Sequence, residues 1–500
     1  MNLRLLRSGG AVLLFIEGAL WYNMQACGRG RSDIRTSKET EMIHDNAWTL
    51  YNDKDLKALE ELSAGYIDFL DNGKTERECT ELLVEMAKKN GYRDLQEVIK
   101  NDEKLAKGDK IYAVNMGKAV MMLNIGDDII GDGMNVLGAH IDSPRLDVKQ
   151  VPLYESEELA YLNTQYYGGI KKYQYVTIPL ALHGVVVKTD GTKVVINVGD
   201  KDDDPVFFIS DLLIHLAQDQ MKKTGAEVVN GEDLDIIIGS KPLKGEEKDA
   251  VKAGLLALLK DKYGIEEDDF LSAEIEAVPA GRAKEAGFDR SMILAYGHDD
   301  RCCAYPSALA MMDVADVKTT ACGLFVDKEE IGSVGATGME SHFFEDMMRE
   351  VLDRMGLYSE INLSRCFRNS RMLSSDVNSA LDPLYADRYE KQNSSRFGHG
   401  LVFCKYTGGR GKSGSNDANA EYMAQLRQIL DKHNVVYQTA ELGKVDAGGG
   451  GTIAYILSLY GMQVIDSGLA VLSMHAPWEA ISKSDLYEAY KGYKAFLIEG

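Results

Sequence analysis

The chain has 500 residues, 45% hydrophobic and 27% charged, and its 56 basic and 78 acidic side chains give a formal net charge of -22. That length suits two domains, or one large domain with an insertion, and a core of that size needs no disulfide support. The acidic balance repels phosphate backbones and anionic lipid and argues against nucleic-acid and membrane partners, while seven cysteines, odd in number and without CxxC or CxxxC spacing, argue against a disulfide framework or a thiolate zinc site and suit a reducing cytoplasm.

Arg4 and Arg7 precede an apolar run from Ala11 to Trp21, a pattern close to a secretory leader, but Glu17 interrupts the run. The run is also too short to span a bilayer. Residues 1–41 are expected to be an extension outside the fold. Leu56, Leu59, Leu62, Tyr66 and Leu70 fall at helical spacing. Thr75-Glu76-Arg77-Glu78 reads as a capping box that opens a second helix, with Gly91 as its end. Asn135–His140 reads as a buried strand. From 151 to 268 strand-like stretches such as Val185–Val198 alternate with charged loops, without a cluster of catalytic type. Beyond 269, strand-like runs at Met292–Tyr296, Cys322–Val326, Val464–Asp466 and Ala470–Met474 alternate with helical ones, which predicts an α/β domain on a mostly parallel sheet. A last helix is expected from Ser484, burying Leu486, Tyr490, Tyr493 and Leu497.

Chemistry-bearing residues cluster at the ends of these strands. In Gly138-Ala139-His140-Ile141-Asp142-Ser143, residues two apart share a face. His140 can then bind a metal while Asp142 accepts its second ring proton, although a structural histidine makes the same pattern. Asp299 and Asp300 follow Tyr296-Gly297-His298, where a bridging cation or an exposed turn would serve equally to accommodate them. In Asp327-Lys328-Glu329-Glu330-Ile331-Gly332, Glu330 can ligate a metal and Glu329 can act as general base; the alternative is a solvated charge run. Asp376 and His475 each end an apolar stretch, and neither is informative alone. Together the set offers two histidines and three carboxylates as ligands, a nitrogen and oxygen mixture suited to zinc, manganese or cobalt and not to calcium. Strand ends are also where α/β sheets place their sites.

The order His-x-Asp, Asp-Asp, Glu-Glu, Asp, His resembles the aspartyl aminopeptidase family of zinc exopeptidases. The likeness runs from about residue 46 to the C-terminus and includes His140-Ile141-Asp142-Ser143-Pro144, Asp327–Ser333 and Ser473-Met474-His475. It implies a zinc-binding proteolytic domain, residues 42–150 and 269–500, interrupted by a β-rich dimerisation domain, residues 151–268. It implies two zinc ions per subunit, with Asp299 bridging, His140 and Asp376 on one ion, Glu330 and His475 on the other, Glu329 as general base and Asp142 behind His140. It further implies a cytoplasmic homo-oligomer of twelve subunits built from dimers, acting on peptide substrates. Lys405 matches a lysine that in the family faces an acidic substrate side chain, and His215 lies on a motif used at the subunit interface.

The chain departs from the family in two places. Asp211 stands where eukaryotic members have a histidine, and Gly408–Gly414 replaces a segment carrying an aromatic substrate contact. Peptidase activity is therefore better supported than acidic preference. The glycine stretch is not a phosphate loop, since that pattern needs glycine where Tyr406 stands. The rival readings are an aminopeptidase of neutral preference, another two-zinc hydrolase such as a carboxypeptidase or deacylase, and a catalytically silent assembly protein.

Overall fold

Strands that are apolar without interruption need cover on both faces, and the longest such runs here form the centre of one large sheet. In a computed structural model of the chain, which describes residues 45–500 and a short strand pair, Arg7–Ser8 with Ala11–Val12, this sheet has nine strands. Its central four, Gln463–Gly468, Arg371–Ser375, Met134–His140 and Thr320–Val326, run parallel, and antiparallel pairs join them to both margins. Successive residues of Met134–His140 face opposite sides. Leu137 and Ala139 join a core built with Tyr66, Met311, Tyr493 and Phe496, whereas Met134 and Val136 join one built with Phe344, Val351 and Leu457. The expected α/β class with a mostly parallel sheet is what the structure has. The extension at 1–41 and the apolar run at 11–21, apart from that strand pair, lie outside the described residues.

The first helix spans Asp53–Asn72, capped by Asn52; its expected apolar stripe buries Leu59, Leu62, Tyr66 and Leu70 but leaves Leu56 exposed. The second spans Glu76–Lys89, and Thr75 and Glu78 form the capping box. The last spans Lys483–Glu499 and buries Leu486, Tyr493 and Leu497, while Tyr490 stays half-buried and its hydroxyl bonds to Asp313.

Three strand expectations are redistributed. Val185–Val198 is a hairpin, Leu180–Val187 and Lys193–Val198, turning at Asp190-Gly191. Met292–Ala295 and Ala470–Leu472 leave the large sheet for a separate five-stranded one. A third, six-stranded sheet carries the middle of the chain. It includes Arg145–Ser156 and Ala273–Pro279, and so begins before residue 151 and ends after 268. Among the described residues no helix is long and apolar enough to cross a membrane.

Candidate metal centre

Most side chains of the site lie at or a few residues past the end of a strand. His140 is the last residue of Met134–His140, and Glu329 and Glu330 sit in a short turn two residues beyond Val326. Asp376 follows Arg371–Ser375, and His475 follows Ala470–Leu472 with a left-handed backbone, φ 63°. Asp299 lies in an irregular stretch before the regular helix that ends at Asp313. Gly297 precedes it with φ 75°, and a Cβ there would overlap Arg301.

These residues converge. One Asp299 carboxylate oxygen lies 3.1 Å from His140 Nε2 and the other 3.3 Å from His475 Nε2. Glu330 Oε2 is 3.5 Å from the same His475 nitrogen, and Glu329 Oε2 is 4.0 Å from His140 Nε2. Oxygens of Asp376 and Glu329 gather with a His140 nitrogen within 4.8 Å of one another. Asp142 is fully buried behind His140, with Oδ1 3.2 Å from Nδ1. Its carboxylate also accepts the backbone N–H groups of Glu329 and Glu330, both at 3.2 Å, and the Tyr167 hydroxyl at 2.9 Å.

The electrostatics of the cluster follow from its burial and crowding. Burial pushes Glu329 up to about 7, with Asp299 and Asp142 adding to the shift against His140 and His475. Burial and neighbouring carboxylates push Glu330 and Asp376 well above the usual carboxylate range. Burial also opposes charge on Asp299, but the two histidines outweigh it and hold its carboxyl far below that range. Glu330 Oε1 is buried without a hydrogen-bond partner. Carboxylates crowded at this depth repel one another unless cations neutralise them. The donor set of imidazole nitrogens and carboxylate oxygens fits zinc.

One positioning residue escaped the sequence reading. Glu479 is buried, and its two oxygens accept the backbone N–H of Asp299 at 3.1 Å and of His475 at 2.6 Å. Its signal was a single acid opening the short strand Glu479–Ser482, between Trp478 and Ala480-Ile481.

A cavity of about 710 Å³ opens beside the cluster. Lys405 is not among the residues that line it. Cys404 and Tyr406 line it, whereas the Lys405 Nζ pairs with Asp417 at 2.6 Å, the carboxylate that also pairs with cavity-lining Lys412 at 3.0 Å. The cations that do line it are Arg410, Lys412 and Lys444. His215 is not a buried structural histidine; it is exposed, flanked by exposed Leu212, Leu213, Ile214 and Leu216. Asp211 is exposed on the same segment.

Known proteins resemble this chain in sequence and in fold. The family model described as aminopeptidase I zinc metalloprotease (M18) matches residues 69–497. A Clostridium acetobutylicum protein described as a probable M18 family aminopeptidase 1 is 56% identical over 453 residues, 90% of this chain and 97% of that one. The crystal structure of aminopeptidase I from that organism superposes with a TM-score of 0.84 at 53% identity, covering 91% of this chain and 98% of its own. An M18 aminopeptidase from Thermotoga maritima gives 0.87 at 42% identity, covering 92% and 100%. The fold extends to a dodecamer of S. cerevisiae mApe1, TM-score 0.70 at 19% identity, with 88% of this chain and 97% of that one covered.

Proposed function

The chain belongs to the M18 aminopeptidase I family of zinc metalloproteases and is a peptide hydrolase, and from this premise we propose that it releases the first residue of peptides through a two-zinc site. The observation that carries the proposal is Asp299, whose two oxygens face the Nε2 atoms of two different histidines at 3.1 and 3.3 Å. His140 and Asp376 would hold one zinc, Glu330 and His475 the other, with Asp299 shared. Zinc held there supplies a Lewis acid for the scissile carbonyl and acidifies water at the site. Glu329, beside His140 and half-buried, takes the proton of the attacking water and returns it to the leaving amine. Asp142 holds the backbone of both glutamates and the free ring nitrogen of His140, so that acid–base and ligand groups share one anchor. Cobalt or manganese fits the same donors.

For the first residue of the substrate the reading is an acidic side chain, met by Arg410, Lys412 and Lys444 around the cavity. The neutral reading is favoured by Val377, Cys404 and Met474, which line the same cavity. For assembly the reading is a homo-oligomer, a dodecamer built from dimers with the middle sheet between subunits; the S. cerevisiae relative is itself described as a dodecamer. Exposed Leu212, Leu213, Ile214 and Leu216 are the apolar patch such a contact would cover. A cytoplasmic setting agrees with six buried free cysteines.

The deciding experiment is metal counting with the Glu329→Gln variant. Two metals per chain, retained in the variant while turnover drops about a hundredfold or more, is the expected result. Near-normal turnover in Glu329→Gln would overturn the assignment of the base.

A further inference from the structure

The middle sheet reaches into the metal centre. Its strand Leu159–Tyr167 ends in Tyr167-Gly168-Gly169, and each of these residues touches a group that supports a ligand. The Tyr167 hydroxyl donates to Asp142 Oδ2 at 2.9 Å, and Asp142 in turn sits 3.2 Å from His140 Nδ1. Gly168 passes so near Glu330 that a Cβ would lie 3.3 Å from its Cβ and Oε2; the residue also has φ 75°, a conformation that glycine alone adopts freely. The Gly169 carbonyl accepts from His475 Nδ1 at 2.9 Å, which orients the ring with Nε2 toward Asp299 and Glu330.

The strap is itself held. The Arg145 guanidinium stacks 3.9 Å from the centre of the Tyr167 ring. Arg145 is fixed by Asp147 at 2.9 Å, Glu276 at 3.1 Å and Glu76 at 3.3 Å. Asp147 and Glu276 belong to the middle sheet, and Glu76 opens a helix packed on the large one. A continuous chain of contacts thus runs from the sheet junction to both histidines.

We propose that Tyr167-Gly168-Gly169 is a positioning strap through which the middle sheet sets the metal-binding geometry of His475, Glu330 and His140. The middle sheet then serves more than assembly: retention of metal depends on how that sheet is seated. The inference rests on the ligand set proposed above. Groups that orient ligating histidines typically contribute about 10- to 100-fold to metal affinity.

The test compares zinc release to a chromogenic chelator, and the visible spectrum of the cobalt-substituted protein, across variants whose mass is checked by light scattering. Tyr167→Phe keeps the ring under Arg145 and removes only the donor; it should lose metal affinity about 10- to 100-fold and shift the cobalt bands at unchanged mass. Gly168→Ala, pressing on Glu330, should do the same. Tyr154→Phe is the control. It removes a comparable tyrosine–aspartate bond, to Asp235 at 2.6 Å, on the neighbouring strand and should leave both readouts unchanged. Wild-type affinity and spectrum in Tyr167→Phe would overturn the strap, as would an equal loss in Tyr154→Phe. His475→Ala separates the two layers of the argument: it should lower metal stoichiometry, and unchanged stoichiometry would overturn the ligand set and the strap with it. If Gly168→Ala does not fold, Tyr167→Phe decides alone.

Discussion

Glu479→Gln should weaken metal binding more than it weakens the metal-free fold. One Glu479 carboxylate accepts from two backbone N–H groups that lie far apart in sequence, those of Asp299 and His475. Glutamine keeps one acceptor and turns an NH₂ toward the other N–H. One buried donor is then unsatisfied, at about 1–3 kcal/mol. Alanine leaves both unsatisfied, at roughly 2–6 kcal/mol. That loss is common to metal-loaded and stripped protein. The positioning role adds a second loss, because the freed backbone carries the shared aspartate and one histidine. A 10- to 100-fold fall in affinity corresponds to about 1.4–2.7 kcal/mol, and it appears only in the loaded protein. Urea unfolding of both forms, wild type and variant, measures the difference directly. If the loss of stability were the same in both forms, Glu479 would be a structural carboxylate without a role at the metals, and the reasoning would be refuted.

Stability should also fall as pH rises above about 6.5. His183 is buried between Glu78 and Asp200, at 2.8 and 2.9 Å, and these carboxylates overcome burial and raise its pKa above the ordinary histidine value. Its contribution is full below the unfolded value and is lost as pH rises through the folded one; urea midpoints that decline no faster in wild type than in His183→Gln would disprove this. Lys412→Ala, on the cavity wall, should lower kcat/KM for glutamyl relative to leucyl substrates about two- to fivefold, the scale of a solvent-exposed ion pair. Lys405→Ala should change that ratio less, and the reverse order would return the acid-selecting role to Lys405. Light scattering of wild type at micromolar concentration should give a large oligomer; Leu213→Asp together with Ile214→Asp should shrink it, and an unchanged mass would move the contact away from that exposed segment.

The proposed ligand residues could be picked out as candidates because each sits at a local break in an apolar run, although their roles came from the family resemblance and not from any one motif. An apolar strand that stops at a histidine or carboxylate has no packing reason to do so, and His140, Asp376 and His475 all follow buried stretches. The alternating faces of Met134–His140 likewise placed a strand in the middle of an α/β core. The supports were not legible, because each is a pairing over distance. Glu479 meets Asp299 across 180 residues, Tyr167 meets Asp142 across 25, and His475 meets Gly169 across 306. No spacing rule encodes which distant carbonyl or N–H a side chain will find. Composition was uninformative as well: glycine at 168 and 169 reads as an ordinary turn until Glu330 and His475 are seen against it. Candidate ligands are thus marked strand by strand, while their placement depends on contacts between the three sheets. A substitution at Glu276, which touches none of the proposed ligands, should therefore act on metal affinity through Arg145 and the seating of Tyr167, without changing a single coordinating atom.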